Sequence, residues 1–324
     1  MALSDLTVFN EQLFSLVTEI LDQQVQLFNA ATFGGIVLAS KPFGGDYSDA
    51  SFFVNTANLV RRRNPYGTGT ISNKSLTTLI ETMVKVAAGT PTLDLAPGQF
   101  NWIKQNPDLA AATWAKQMAP QILADMLNVA IGSVEAALAG VAGTNVFDAT
   151  GLTTPADKMT IDNQLVGNSK LGDRASEIRC WLMHSKPWFD LTRANAANTA
   201  ILFKYDTVKV MSDPLGNPFV IADLPALVLA GTPNVYSSIG LQENGVAINT
   251  NDDYDQIVVE AVGDENIGRK MQSEWSYNVG VKGFTWDKVN GGHAPTDAAL
   301  FTAGNWDKVA TSFRDLAGVL VKTH

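Results

Sequence analysis

The stretch Asp108–Gly140, DLAAATWAKQMAPQILADMLNVAIGSVEAALAG, constrains this chain more than any other. It is the longest helical pattern, and only Asp108, Lys116, Asp125 and Glu135 interrupt it with charge. Leu123, Leu127, Ile131, Val134 and Leu138 recur at steps of four and three, while Met118, Ile122, Met126, Val129 and Ala137 form a second apolar row on an adjoining face. Two apolar rows predict a helix wrapped on most sides. Asn106-Pro107-Asp108 is a start signal and Gly140 a stop. At about 1.5 Å per residue the element reaches roughly 45 Å, long for a domain of this size. Pro120 lacks the amide that the helical ladder needs and is expected to kink or split it. Taken alone, such a stretch is an ordinary core helix, and only its flanks make it more.

With 324 residues, 46% hydrophobic and 17% charged, the chain has enough apolar material for a sizeable core and for two or three compact units. A net charge of -9 and a pI near 4.8 argue against a nucleic-acid reader, which needs clustered Lys and Arg to displace counterions. They leave room for a smooth wall placed beside nucleic acid. The single cysteine, Cys180, lies in the apolar run IRCWLMH, so no internal disulfide forms and a buried, inert thiol is expected. The leading residues MALSDLTVFNEQ lack the basic cluster and apolar core of a secretory signal. The central stretch carries Gln117, Gln121, Asp125 and Asn128, so no membrane span is expected.

Residues 7–30 read as an amphipathic helix, with Phe9, Leu13, Leu16, Val17, Ile20, Leu21, Val25, Leu27 and Phe28 on a broad stripe and Asp5 placed to cap it. So large a face must find cover, either on the chain's own core or on another subunit. From Phe33 to Pro97 the composition shifts to Gly, Thr, Ser and Asn, with the strand GGIVLA, the pair Phe52-Phe53, and the basic run Arg61-Arg62-Arg63 before Asn64-Pro65-Tyr66-Gly67. GTGTIS resembles the turn and return strand of a hairpin, and Leu76–Ala87 returns to helical spacing. The arginines concentrate charge that the rest of the chain lacks; they are either solvated or paired with acidic neighbours.

Residues 141–175, rich in Gly, Thr, Asn and Asp, mark a boundary. Beyond it, EIRCWLMHSKPWFDLTRAN starts as strand and turns helical after Ser185, and Val208, Val210, Phe219 and Ile221 alternate as paired strands joined at Pro214–Pro218. Two further strands read at Gln256–Val262 and Glu274–Trp286, the second with Trp275, Tyr277, Val279, Val281 and Phe284 facing one way. Helix, hairpin excursion, helix, mixed unit and long strands make an α+β chain.

No chemistry is nominated. There is no phosphate loop, no Gly-x-Ser-x-Gly elbow, no HExxH and no CxxC, and His184, His293 and His324 are scattered. Cys180 and His184 share a face, but their apolar setting offers nothing to lower the thiol pKa. Asn251-Asp252-Asp253-Tyr254-Asp255 lacks the Gly and terminal Glu of a calcium loop and reads as a solvated turn. Seven tryptophans spread over every segment read as core and contact anchors. No catalytic, cofactor-binding or metal residue emerges, and no cofactor is expected.

The opening LSDLTVFNEQLFSLVTEILDQQVQLFNAAT, the VRRRNPYG segment, the EIRCWLMHSKPWFDLT run, GNPFVIADLPAL, WSYNVGVKGFTWD, PTDAAL and GNWDKVATSFRDLAGVLV resemble, in order and spacing, the major capsid proteins of tailed bacteriophages, with their Hong Kong 97 fold. The resemblance spans nearly the whole chain. It implies an N-terminal arm at 1–32, an extended E-loop at 33–90, a P-domain with its spine helix at 91–155, an A-domain at 156–250, and P-domain strands with the C-terminal segment at 251–324. It implies a non-enzymatic coat protein that assembles with itself into pentamers and hexamers of an icosahedral shell around double-stranded DNA, without sequence-specific contact. Scaffolding, portal and decoration proteins are further partners, the virion capsid is the location, and the host cytoplasm is the place of assembly. Phe9, Phe52, Phe53, Arg61, Arg62, Arg63 and Tyr66 would then make intersubunit contacts, and Ile122, Leu123, Met126, Leu127, Ile131 and Val134 the core of the spine, which a break at Pro120 would confine to residues 121–139. An encapsulin-like compartment shell around protein cargo is the alternative of the same fold; a hydrolase with an unrecognised site is the enzymatic one.

Overall fold

The computed structural model describes residues 2–53, 62–71, 73, 75, 78–96, 98, 101, 103, 105–141, 143–194, 200–205, 208–212, 218–261 and 268–324. Its organising element is one unbroken helix, Pro107–Ala139, with 18 of its 33 residues buried. Ile122, Leu123, Met126, Leu127, Ile131 and Val134 are each at most 3% exposed. The helix is therefore not split at Pro120, contrary to the sequence expectation. Proline removes one hydrogen bond, to the carbonyl of Lys116, and Lys116 is on the exposed side, where water can satisfy that carbonyl. By length and composition this helix could cross a membrane, but 72% of its most apolar window is buried inside the chain, which makes it a core helix.

A second helix, Ala2–Ala31, packs beside it. It starts before Asp5, which is therefore no cap. Phe9, Leu13, Val17 and Phe28 are buried in the chain's own core, so of the two covers open to this stripe the structure shows the internal one.

Among the described residues two large sheets flank the helices, and a small two-stranded one pairs Phe284–Trp286 with Trp306–Lys308. The first has seven strands, in the order Ile36–Ser40, Val246–Thr250, Gly268–Val281, Thr78–Gly89, Tyr47–Phe53, with Asp255–Ala261 and Leu93–Leu95 paired to the leading half of Gly268–Val281. The second has eight, in the order Val146–Asp148, Gly318–Thr323, Val235–Gln242, Ile178–Met183, Pro218–Ile221, Val208–Ser212, Ala200–Tyr205, with Val228–Leu229 added beside Val235–Gln242. The strand Gly318–Thr323 thus lies inside its sheet, parallel to Val146–Asp148 on one flank and antiparallel to Val235–Gln242 on the other. Both sheets and both long helices share one core, and Trp181, Met183, Trp188, Phe219, Val319 and Val321 belong to a smaller cluster on the second sheet.

Several local expectations are corrected. The described part of the segment read as helical from Leu76 to Ala87 is not helical: Thr78–Gly89 is a strand in which Thr82, Val84 and Val86 are buried at period two, paired to Tyr47–Phe53 on one side and to Gly268–Val281 on the other. Leu79, Met83 and Val86 also fit helical spacing, and the β-branched content together with two waiting strand edges decides the outcome. Residues 67–71 of GTGTIS have no strand pairing; the return strand begins at Thr78. The 141–175 region is structured, with the strand Val146–Asp148 and the helix Ile161–Ser169, whose Thr160 side chain accepts from the Asn163 amide. The long strand alternates only in its first half. From Ser276 onward both faces are buried, because Met83 packs over Gly280, where a Cβ would lie 2.6 Å from Met83 Cγ, and because Asn251 bonds Ser276 and Asn278. Four residues of the expected turn, 214–217, lie outside the described residues.

Candidate interaction surfaces

The polar groups first considered for chemistry are used structurally. Cys180 is wholly buried and burial pushes its thiol up to about 12, so it is neither nucleophile nor ligand at neutral pH. His184 Nε2 lies 3.4 Å from Asp223, and its ring lies against Tyr236. In the acidic segment, Asp253 accepts from the Ser276 amide at 2.8 Å and lies 3.6 Å from Lys85, Asn251 accepts from the Phe43 amide, and Asp252 accepts from Ser40 Oγ with φ at 54°. These contacts make a hydrogen-bonded turn linking the strands Val246–Thr250 and Asp255–Ala261. Among the described residues no group of three or more His, Cys, Asp and Glu side chains is set to hold a metal ion.

Three polar residues of the central helix have built-in partners. Tyr277 donates to Asp125 at 2.9 Å, the Ala226 amide donates to Asn128 Oδ1, and Glu135 meets Lys322 at 3.3 Å and Ser237 at 3.1 Å. Burial raises the Asp125 carboxyl above its ordinary range, with the Tyr277 hydrogen bond opposing and Asp297 adding to the rise. Burial, then the neighbouring Asp125, drives the Tyr277 hydroxyl up as well. The helix is fixed in rotation by these contacts as well as by its apolar rows.

What remains for function is surface. The strands Tyr47–Phe53 and Thr78–Gly89 form the root of a hairpin, and that root is tied down: Lys288 donates to Asp49 at 2.8 Å and Thr82 Oγ1 donates to it at 2.7 Å, while Glu81 accepts the Gly283 amide. The Lys288 hydrogen bond, first, and then that of Thr82 hold the Asp49 carboxyl below its usual range. Beyond the root, residues 62–71 are exposed without exception, and Tyr66 is 94% exposed. Arg62 and Arg63 make no ion pair among the described residues, while the Asn64 side chain accepts from the Tyr66 amide and shapes the turn. Arg61 lies outside the described residues, and Phe52 and Phe53 are placed only as the last residues of the outgoing strand, opposite Leu79 and Thr78. Phe9 is corrected: at 2% exposure inside this chain's core it has no surface left for a neighbour.

Sequence reasoning missed a second surface. Phe14 and Tyr254 have ring centroids 5.7 Å apart, and Tyr254 and Trp275 stack at 6.1 Å, giving a row of three rings across an open groove of about 320 Å³ between the leading helix and the first sheet. Phe14 stands one step off the apolar stripe of its helix and Tyr254 sits among aspartates; those two misplacements were the available signal. Elsewhere Ile257 and Val259, alternating on one face of Asp255–Ala261, are 59% and 50% exposed, and Phe189 is 65% exposed.

The chain can now be set beside known proteins. A family model described as Major capsid protein 13-like (Gp13-like) matches residues 5–320. No curated protein matches the sequence. Among solved structures, the capsid of cyanophage Pam1 is similar at a TM-score of 0.50 and 11% identity, covering 88% of each chain. The capsid of Ralstonia phage GP4 follows at 0.48 and 9%, covering 90% of this chain and 87% of that one, and a structure from Mycobacterium phage Adephagia at 0.48 and 11%, covering 90% and 89%. At such identity the Pam1 likeness is one of fold, and it agrees with the helix and sheet arrangement above. With the family matched over almost its whole length, the chain belongs to the Major capsid protein 13-like family: it is a structural major capsid protein of the bacteriophage type, with the Hong Kong 97-type fold.

Proposed function

We propose that this subunit closes, as pentamers and hexamers, into the icosahedral shell of a tailed phage, enclosing double-stranded DNA without reading its sequence and without catalytic turnover. The observation that carries this reading is the hairpin: its root is bonded into the chain, while residues 62–71, with Tyr66 almost fully open, are exposed and find no cover among the described residues. In the proposed division, 1–32 is the N-terminal arm, 33–90 the E-loop region, 91–155 with 251–324 the P-domain around its spine, and 156–250 the A-domain. Intersubunit contacts fall to Phe52, Phe53, Arg61, Arg62, Arg63 and Tyr66. The arm docks on its own subunit through Phe9, Leu13, Val17 and Phe28, so contacts between copies are made mainly by the hairpin and the outer sheet faces. A net charge of -9 suits an inner wall that must not grip packed DNA. Assembly takes place in the host cytoplasm, with scaffolding, portal and decoration proteins as further partners.

Electron microscopy of the protein expressed alone and with its phage-encoded neighbours tests this. Closed shells of pentamers and hexamers that fill with DNA are expected. A small monodisperse species under every condition, or shells filled with protein cargo, would overturn it.

A further inference from the structure

We infer that the aromatic groove between the leading helix and the first sheet is the receptor for the Arg62-Arg63-Tyr66 tip of a second copy; this rests on the proposed role of the hairpin and adds where its tip lands. The groove floor carries the Phe14, Tyr254 and Trp275 rings. Its rim carries Asp22, Asp252 and Asp253, and the depression that continues it past Phe14 and Tyr254 adds Glu11 and Asp255. Of these five carboxylates only Asp253 has a cation beside it among the described residues, Lys85. Asp22 is bonded by Gln26, Asp252 by Ser40 and Asp255 by the Gln256 amide, all neutral donors.

A row of rings edged by carboxylates, four of the five with no cation beside them among the described residues, is the chemical complement of guanidinium. The planar cation lies over a ring face while its edge meets a carboxylate. The chain offers such a ligand in Arg62 and Arg63, exposed beside an exposed tyrosine on a projecting turn. Copies of a chain with net charge -9 repel one another, so the contact that joins them favours the one place where positive charge is concentrated, and opposite potentials also fix the register of docking. Tip of one copy into groove of the next is a head-to-tail contact, the kind that generates rings when the rotation closes.

A charge swap tests the pairing. Arg62→Glu with Arg63→Glu, and separately Asp22→Lys with Asp255→Lys, alter exposed side chains only, so each subunit should keep its circular dichroism and melting profile. Assembly of the purified protein is followed by light scattering and electron microscopy. Each double variant is expected to lower shell yield by about tenfold or more, and combining all four changes should restore most of it. If the arginine variant blocks assembly while the aspartate variant assembles normally, or if the combination restores nothing, the receptor lies elsewhere and this inference falls with the hairpin reading intact. If the arginine variant itself assembles normally, the role of the hairpin tip falls too.

Discussion

Gly132 shows how closely the central helix is fitted. Glycine inside a helix costs about 1 kcal/mol relative to alanine, yet here a Cβ would lie 2.1 Å from Cε1 of Phe301, so the missing side chain is the seat of that ring. Gly132→Ala is expected to lose stability, because overpacking of about 1–3 kcal/mol against the Phe301 ring outweighs the gain in propensity. Chemical denaturation of the subunit measures it, and adding Phe301→Ala should make the glycine change less harmful than it is alone. Asp125 gives a pH-dependent counterpart. Its carboxyl titrates higher in the fold than the unfolded value of 3.8, mainly because of burial. The folded state therefore takes up a proton before the unfolded state does as pH falls. The associated penalty is fully present above the folded pKa and disappears as pH drops toward 3.8. Asp125→Asn keeps an acceptor for Tyr277 and should raise the melting temperature at pH 7, with a gain that shrinks in acid; equal gains at both pH values would refute the assignment. Neither residue was legible as special in the sequence. Asp125 read only as one of four charges on an apolar helix, because its partner Tyr277 lies 152 positions away.

At the scale of elements, periodicity served well where one face had one environment and poorly where several elements competed. The central helix stood out because two apolar rows can be accommodated only by a buried helix, and the strand-to-helix change at Ser185 was marked by its own sequence. Thr78–Gly89 was misread because its apolar residues satisfy both periods, and the tie is broken by Tyr47–Phe53 on one side and by a strand more than 180 residues downstream on the other. Pro120 was overweighted: a single lost hydrogen bond on the exposed side does not outweigh a helix buried over its length. Pro120→Ala should accordingly stabilise the subunit, by about 1–3 kcal/mol, as the amide returns to the ladder. An unchanged or lower denaturation midpoint would mean that the ring itself fills a place in the packing.

For the whole molecule, the α+β class and the order of segments could be read in advance, whereas strand neighbours could not, since both sheets are assembled from distant parts of the chain. The same limit applied to the surfaces. The basic hairpin tip is a local cluster and visible as letters, but the Phe14–Tyr254–Trp275 row draws on three regions and exists only after folding. Replacing Arg61, Arg62 and Arg63 together by Ser should leave the subunit folded while shells form less readily and come apart at lower salt, as expected if charged contacts between copies are lost. Shells of unchanged salt resistance, seen by sedimentation across a salt series, would exclude the basic run as a determinant of assembly.

The position of Gly318–Thr323 bears on when all this can begin. Until that segment is made, Val146–Asp148 and Val235–Gln242 have nothing between them, and the gap leaves two strand edges open in the second sheet. The second sheet therefore cannot close before this segment has emerged, so a nascent polypeptide that has not yet reached it is withheld from premature polymerisation by its own topology.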